Sequence, residues 1–246
     1  SQDGGSWCDG EGNCVICNDA GQCGDGDVCN GVELCDAGTN TCRDGTDAEA
    51  GVPCTLGGGG MGACSGDGVC GPYRRAFVTS QLVTGSFGGL SRGDAICQNL
   101  ADAAGLGGTY MAWLSDDTES PSTRFNRSTV PYLLVDGTLI AANYDDLVDG
   151  TLAAPINLTE NGDPPPTTDE FCEARGDYVR TGTQTNGDAT DGGGQCRNWG
   201  AGGTLISDAL ATSSSRFQRW TYACVGTTSE PPYFCDRLAS LYCFEQ

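Results

Sequence analysis

Apolar and polar positions follow two different rules along this chain, and the change falls near residue 72. Beyond it the alternation of Arg75 to Val83 (RAFVTSQLV) predicts a strand. Ser91 to Ala104 carries helical spacing, with Ala95, Cys97, Leu100, Ala103 and Ala104 on the apolar side. Ser91 is placed to cap that helix, Asp94 lies three residues later, and Gly105 is placed to stop it. Thr109 to Leu114 (TYMAWL) predicts a buried strand, and Pro131–Val135 with Thr138–Ala142 predicts a hairpin about Asp136-Gly137. Tyr144 to Val148 allows a short helix, while Trp220–Cys224 and Ala239–Phe244 predict closing strands. Residues 159–195 are rich in Gly, Thr, Asp and Pro without periodicity and predict an irregular excursion.

Before residue 72 no such period exists. CDGEGNC (8–14), CGDGDVC (23–29) and CSGDGVC (64–70) repeat one length and one composition, and CNDAGQC and CNGVELC share the spacing. Cysteines six apart with Gly, Asp and Asn between them describe tight turns strung between staples. Large apolar residues are too few there to offset chain entropy without cross-links. Gly71-Pro72 marks the boundary, giving a disulfide-stapled, mostly irregular segment (1–72) and an α+β domain (73–246).

Composition sharpens this. Ten of sixteen cysteines lie in the first seventy residues, and an even count at such density implies disulfides made in an oxidising compartment. The expected location is extracellular or cell-surface, with Ser1 read as the start of a leader-processed chain. There is no histidine, and every basic residue is an arginine. This excludes imidazole-based triads, lysine Schiff bases and phosphate-cradling lysine loops. The formal charge of −21, with Arg43 the single basic residue before Arg74, speaks against nucleic acid and anionic lipid as partners. No apolar run reaches the roughly 20 residues of a membrane span.

An acidic surface attracts divalent cations, which makes the turns candidate calcium sites. Asp9, Glu11 and Asn13 place oxygen ligands at alternate positions, and Asp25 and Asp27 offer a shorter version. Cys14 and Ala20 stand where an EF-hand loop needs Gly and Glu, so no EF-hand is present. The CxxC of Cys14 and Cys17 reads as disulfide rather than zinc chemistry in this setting. Neighbouring carboxylates such as Asp116, Asp117 and Glu119, or Asp145 and Asp146, read as solvated loop acids, and no enzymatic activity is expected. Trp113 and Trp220 fall in apolar strand patterns. Trp199, between Arg197, Asn198 and glycines, is the tryptophan expected to be exposed, and this trio is the expected ligand contact.

The stretch GSFGGLSRGDAICQNLADAAGLGGTYMAWLSDD (85–117) resembles the core of endostatin and related bacterial surface domains. VPYLLVDGTLIAANYDDLVDG (130–150), WTYAC (220–224) and FCDRLASLYCFEQ (234–246) extend the similarity in order. The resemblance implies a C-type-lectin-like fold: a twisted, mostly antiparallel sheet, a helix or two, a long loop excursion, and first and last strands side by side. It further implies pairing of Cys97 with Cys243 and of Cys224 with Cys235, which leaves Cys172 with Cys196. The family's zinc and heparin binding do not transfer, because the histidines and the basic face are missing. Nor does the usual calcium-dependent sugar site, whose nearest pieces, Glu230-Pro231-Pro232 and Asn198-Trp199-Gly200, each lack a ligand.

Two functions are expected from these readings. One is a structural or adhesive surface module, a fibre subunit stabilised by disulfides and calcium, self-associating or meeting other surface proteins. The other is a lectin-like receptor binding carbohydrate or protein through residues 159–215.

Overall fold

The structure, a computed structural model, describes residues 7–8, 14–15, 17, 19–168, 176–191, 195–200, 210–221, 223 and 235–246. It divides into two compact units, Ser1–Tyr73 and Arg74–Gln246.

The first unit consists of short pairings: β1 (Trp7–Cys8) with β2 (Cys14–Val15), β3 (Leu34–Asp36) with β4 (Thr41–Arg43), and a sheet of β5 (Pro53–Thr55), β6 (Met61–Cys64) and β7 (Cys70–Gly71). Among the described residues its disulfides, left open by the sequence, are Cys17–Cys35, Cys23–Cys42, Cys29–Cys64 and Cys54–Cys70. The buried cluster is Cys29, Cys54 and Cys64, with Ala48 and Cys70 against it. Sulfur is the core here, as the scarcity of large apolar residues demands.

The second unit is mixed α/β with few helices and a curled seven-stranded sheet. Its strands are β8 (Arg74–Val78), β9 (Tyr110–Ala112), β10 (Tyr132–Leu133), β11 (Leu139–Ala141), β12 (Tyr178–Arg180), β13 (Leu210–Thr212) and β14 (Ser240–Glu245). The strand β14 pairs antiparallel with β8 along one edge. Along its other edge it pairs parallel with β12 through Ser240 and Leu241, then antiparallel with β9 through Cys243 to Glu245. Period-2 alternation then sorts side chains into two cores. Tyr242 and Phe244 join Ala76, Val78, Trp113 and Trp220 on one face, while Leu241 and Cys243 join Phe77, Ala112, Leu114 and Cys97 on the other.

The helix α1 (Leu90–Ala103) lies on that second face. A Cβ on Gly93 would come within 2.6 Å of Leu114 Cδ1, so glycine lets the helix approach β9. Gly105, at φ 70°, follows its end as expected. Its start differs from expectation: the N-cap is Gly89 and makes no side-chain cap. Asp94 instead accepts from Ala112 N at 2.9 Å and pairs with Arg124 of the short helix α2 (Pro121–Arg124). Burial pushes the Asp94 carboxyl up, against the pull of the Ala112 N–H and Arg124.

The hairpin about Asp136-Gly137 is present, as is a short helix, α3 (Tyr144–Leu147), capped by Asn143. Two expectations need correcting. The 159–195 excursion contains β12, three buried residues inside the sheet, because pairing to β14 and β13 outweighs a local sequence without strand periodicity. Trp220 ends a 3-10 turn (Gln218–Trp220) rather than beginning a strand.

The Cys97–Cys243 bridge ties α1 to β14, with both cysteines fully buried. Cys235 bonds Cys196, which corrects both the Cys224–Cys235 and the Cys172–Cys196 pairings; Cys172 and Cys224 lie outside the described residues. The reason is local: Cys196, Cys235 and Gly85 meet at one point, and a Cβ on Gly85 would sit 2.9 Å from the Cβ of each cysteine. The 146-residue separation of Cys97 and Cys243 makes that bridge the longest cross-link of the described set. Replacing both cysteines by serine is expected to lower unfolding free energy by about 5 kcal/mol, read from urea unfolding without reductant.

Candidate functional site

The expected ligand trio is split by the fold. Residues Cys196 to Trp199 form a left-handed turn, with φ of 48°, 53°, 56° and 60° in succession. Each non-glycine residue in that region costs about 1–2 kcal/mol, somewhat less for Asn. The turn is held at both ends. Cys196 is bonded to Cys235, and Trp199 is completely buried. The Trp199 indole stacks on Phe87 at 5.3 Å, donates Nε1–H to Ser115 O at 2.9 Å, and its carbonyl accepts from Gly88 N at 2.8 Å. Trp199 is therefore a core residue and not the exposed ligand contact expected from its polar neighbours. Arg197 and Asn198 are exposed at the tip. Asn198 is engaged with Asp117, accepting from Asp117 N at 3.1 Å and donating to Asp117 Oδ2 at 3.0 Å. Behind the turn lies Arg180 of β12, 1% exposed, which donates to Val83 O at 3.3 Å and to Arg237 O, with Cys196 Sγ 3.8 Å away. Burial pushes this guanidinium down to about 9, opposed by Asp236.

Of the expected calcium ligands, Asp9, Glu11 and Asn13 lie outside the described residues. Asp25 and Asp27 do share one turn, but their oxygens serve the backbone and the Asn30 side chain. Asp25 Oδ1 accepts from Asp27 N at 2.7 Å, Asp27 Oδ1 from Cys29 N at 2.9 Å, and Asp25 Oδ2 from Asn30 Nδ2 at 3.1 Å. The Asp27 N–H, then the Glu33 and Asn30 side chains, hold the Asp25 carboxyl below its ordinary value. The Gly38 and Thr39 N–H groups do the same for Asp36. Among the described residues the trios with metal-ligand spacing are disulfide-bonded cysteines, and no cation is assigned to the Asp25–Asp27 turn.

What sequence reading missed is a cleft of about 840 Å³ on the second unit. It is lined by Pro155, Thr212, Ser214, Arg216, Phe217 and Arg219, among others. The cleft exists because β13 ends at Thr212 and the chain then turns through serines into the Gln218–Trp220 turn, whose Trp220 plunges into the core while Arg216 to Arg219 stay exposed. Leu152 N donates to Arg216 O at 2.7 Å, fixing the opposite wall. The Arg216 guanidinium stands 5.1 Å from the Phe217 ring centroid, and Phe217 is 58% exposed. Among the described residues no carboxylate lines this cleft, in a chain with 33 acids. The signal was legible: from Ala209 to Ser229 the sequence carries two arginines and no acid. A mixed arginine, aromatic and hydroxyl surface can receive carboxylates beside apolar groups.

No protein-family model matches the chain, and no curated protein matches it.

Two outcomes follow from this geometry. Arg197→Gly, at an exposed left-handed position, is expected to raise stability by about 1 kcal/mol, whereas Trp199→Ala costs about 3–5 kcal/mol; denaturant melts of both variants separate tip from core. Asp25 and Asp36 have depressed folded pKa values, so they add stability above the ordinary 3.8 that is lost as pH falls through the lowered values. Thermal midpoints from about pH 6 to pH 2 should fall less for Asp36→Asn, which keeps the acceptor oxygen without titrating, than for the wild type.

Proposed function

We propose that this chain is a non-catalytic extracellular structural or adhesive surface protein, the repeating subunit of a disulfide-stabilised fibre. Its second unit serves as an endostatin-like, C-type-lectin-like body. The adjacency of β8 and β14, the helix following β8, and the Cys97–Cys243 tie support that reading of the body. Disulfides throughout both units support an oxidising compartment. Among the described residues no helix is long and apolar enough to cross a membrane.

The observation that carries the adhesive role is where apolar surface remains outside. Of the eight large hydrophobic side chains exposed among the described residues, six belong to the first unit: Val28, Val32, Leu34, Val52, Met61 and Val69. Val32 is 78% exposed and Met61 72%. A unit whose own core is cystine has no interior for these side chains, and exposed apolar groups set among carboxylates suit a contact surface. The lectin-like alternative keeps Arg197 and Asn198 as exposed candidates but loses its aromatic platform, because Trp199 is inside.

Electron micrographs of the native material are expected to contain filaments, and a chain lacking residues 1–72 is expected to yield none. Dispersed monomers in native material would overturn the proposal.

A further inference from the structure

Both units are acidic, the first far more densely, and nearly all the arginines lie in the second. The first has twelve carboxylates against one arginine, a formal −11 in 73 residues; the second has twenty-one against eleven, −10 in 173. On the first unit a groove of about 510 Å³ runs between the Asp25–Val28 turn and the β5–β6 hairpin. Asp25, Asp27, Val28 and Met61 line it, and Val28 and Met61 are both exposed. It is thus a shallow site of carboxylates beside apolar side chains. The cleft on the second unit is its counterpart: arginines beside an exposed phenylalanine, with no carboxylate among the described lining residues.

We propose that the cleft at Arg216, Phe217 and Arg219 of one copy receives the Asp25–Val28 groove of a second copy. This rests on the fibre reading above and names its contact. Charge complementarity selects the occupant. In a protein of net charge −21, like copies repel over most of their surface, so association is confined to the place where arginines meet carboxylates. Phe217 of one copy and Val28 with Met61 of the other then cover one another, which removes exposed apolar surface from both. Because the two patches are different surfaces, the contact is heterologous. A heterologous contact propagates head to tail, into an open filament or a closed ring according to the rotation between successive copies.

The test uses the full chain in sedimentation velocity across a concentration series, at about 0.05 M and about 0.5 M salt, where screening differs several-fold. The wild type should polymerise at low salt and dissociate at high salt. Arg216→Glu with Arg219→Glu disables the cleft. Val28→Arg with Met61→Arg disables the groove at exposed positions and leaves the Asp25 and Asp27 caps intact. Each double variant alone should associate at least tenfold more weakly. An equimolar mixture of the two should form dimers that grow no further, because one live cleft meets one live groove and the remaining ends are dead. Far-ultraviolet dichroism and a free-thiol count confirm that each variant is folded.

If the wild type polymerises and the cleft variant does so equally well, this contact is wrong while the fibre reading stands. If the wild type is monomeric at every concentration, both fall. If the wild type is monomeric but polygalacturonate binds it through Arg216 and Arg219, the cleft belongs to an acidic polysaccharide and the proposal is overturned.

Discussion

Strand β14 is the constraint on which the second unit rests. Six residues, Ser240 to Glu245, supply backbone pairing to three other strands and side chains to two cores. A strand buried on both faces and paired on both edges has no freedom of register, since a slip of one residue would exchange Tyr242 and Phe244 with Leu241 and Cys243. The Cys97 bridge makes the same demand through a covalent bond. Register, core packing and cross-link therefore agree on one arrangement, and each makes an alternative more costly for the others.

The first unit solves the stability problem in the opposite way. Its strands are two to four residues long and its buried cluster is cystine, so almost nothing there depends on the size or shape of apolar side chains. A scaffold of that kind tolerates exchange of the residues between staples. That freedom is what allows Val28, Val32 and Met61 to stand outside without loss to a core.

How much could be read beforehand followed the physics of each element. The helix 90–103, the Asp136-Gly137 hairpin and the final strand carried strong local signals, a period of 3.6, a turn dipeptide and a β-rich run, and the structure has all three. Strand β12 carried none, because its three residues become a strand only when β13 and β14 flank them. Trp199 misled for a related reason. Its flanking Arg, Asn and Gly describe an exposed loop, but a left-handed turn fixed by Cys196 rotates the indole inward while its neighbours stay outside. Backbone handedness of that kind has no marker in residue type when the residues are Cys, Arg, Asn and Trp. The cleft at Arg216 was legible as an acid-free run, yet a local charge gap gains meaning only once β13 and the following turn give it walls.

The position of β14 has a consequence for the order in which the chain folds. The sheet cannot assemble until residue 245 is available, and the bridge from Cys97 waits for Cys243, so the second unit has high contact order by construction. A chain synthesised N-terminus first presents the stapled unit, able to close on its own cysteines, while the larger unit is still open. The architecture thus sets a sequence of maturation: oxidation of the small unit can precede the large one, and a chain cut short before residue 240 forfeits the central strand, leaving an open segment that proteases can remove.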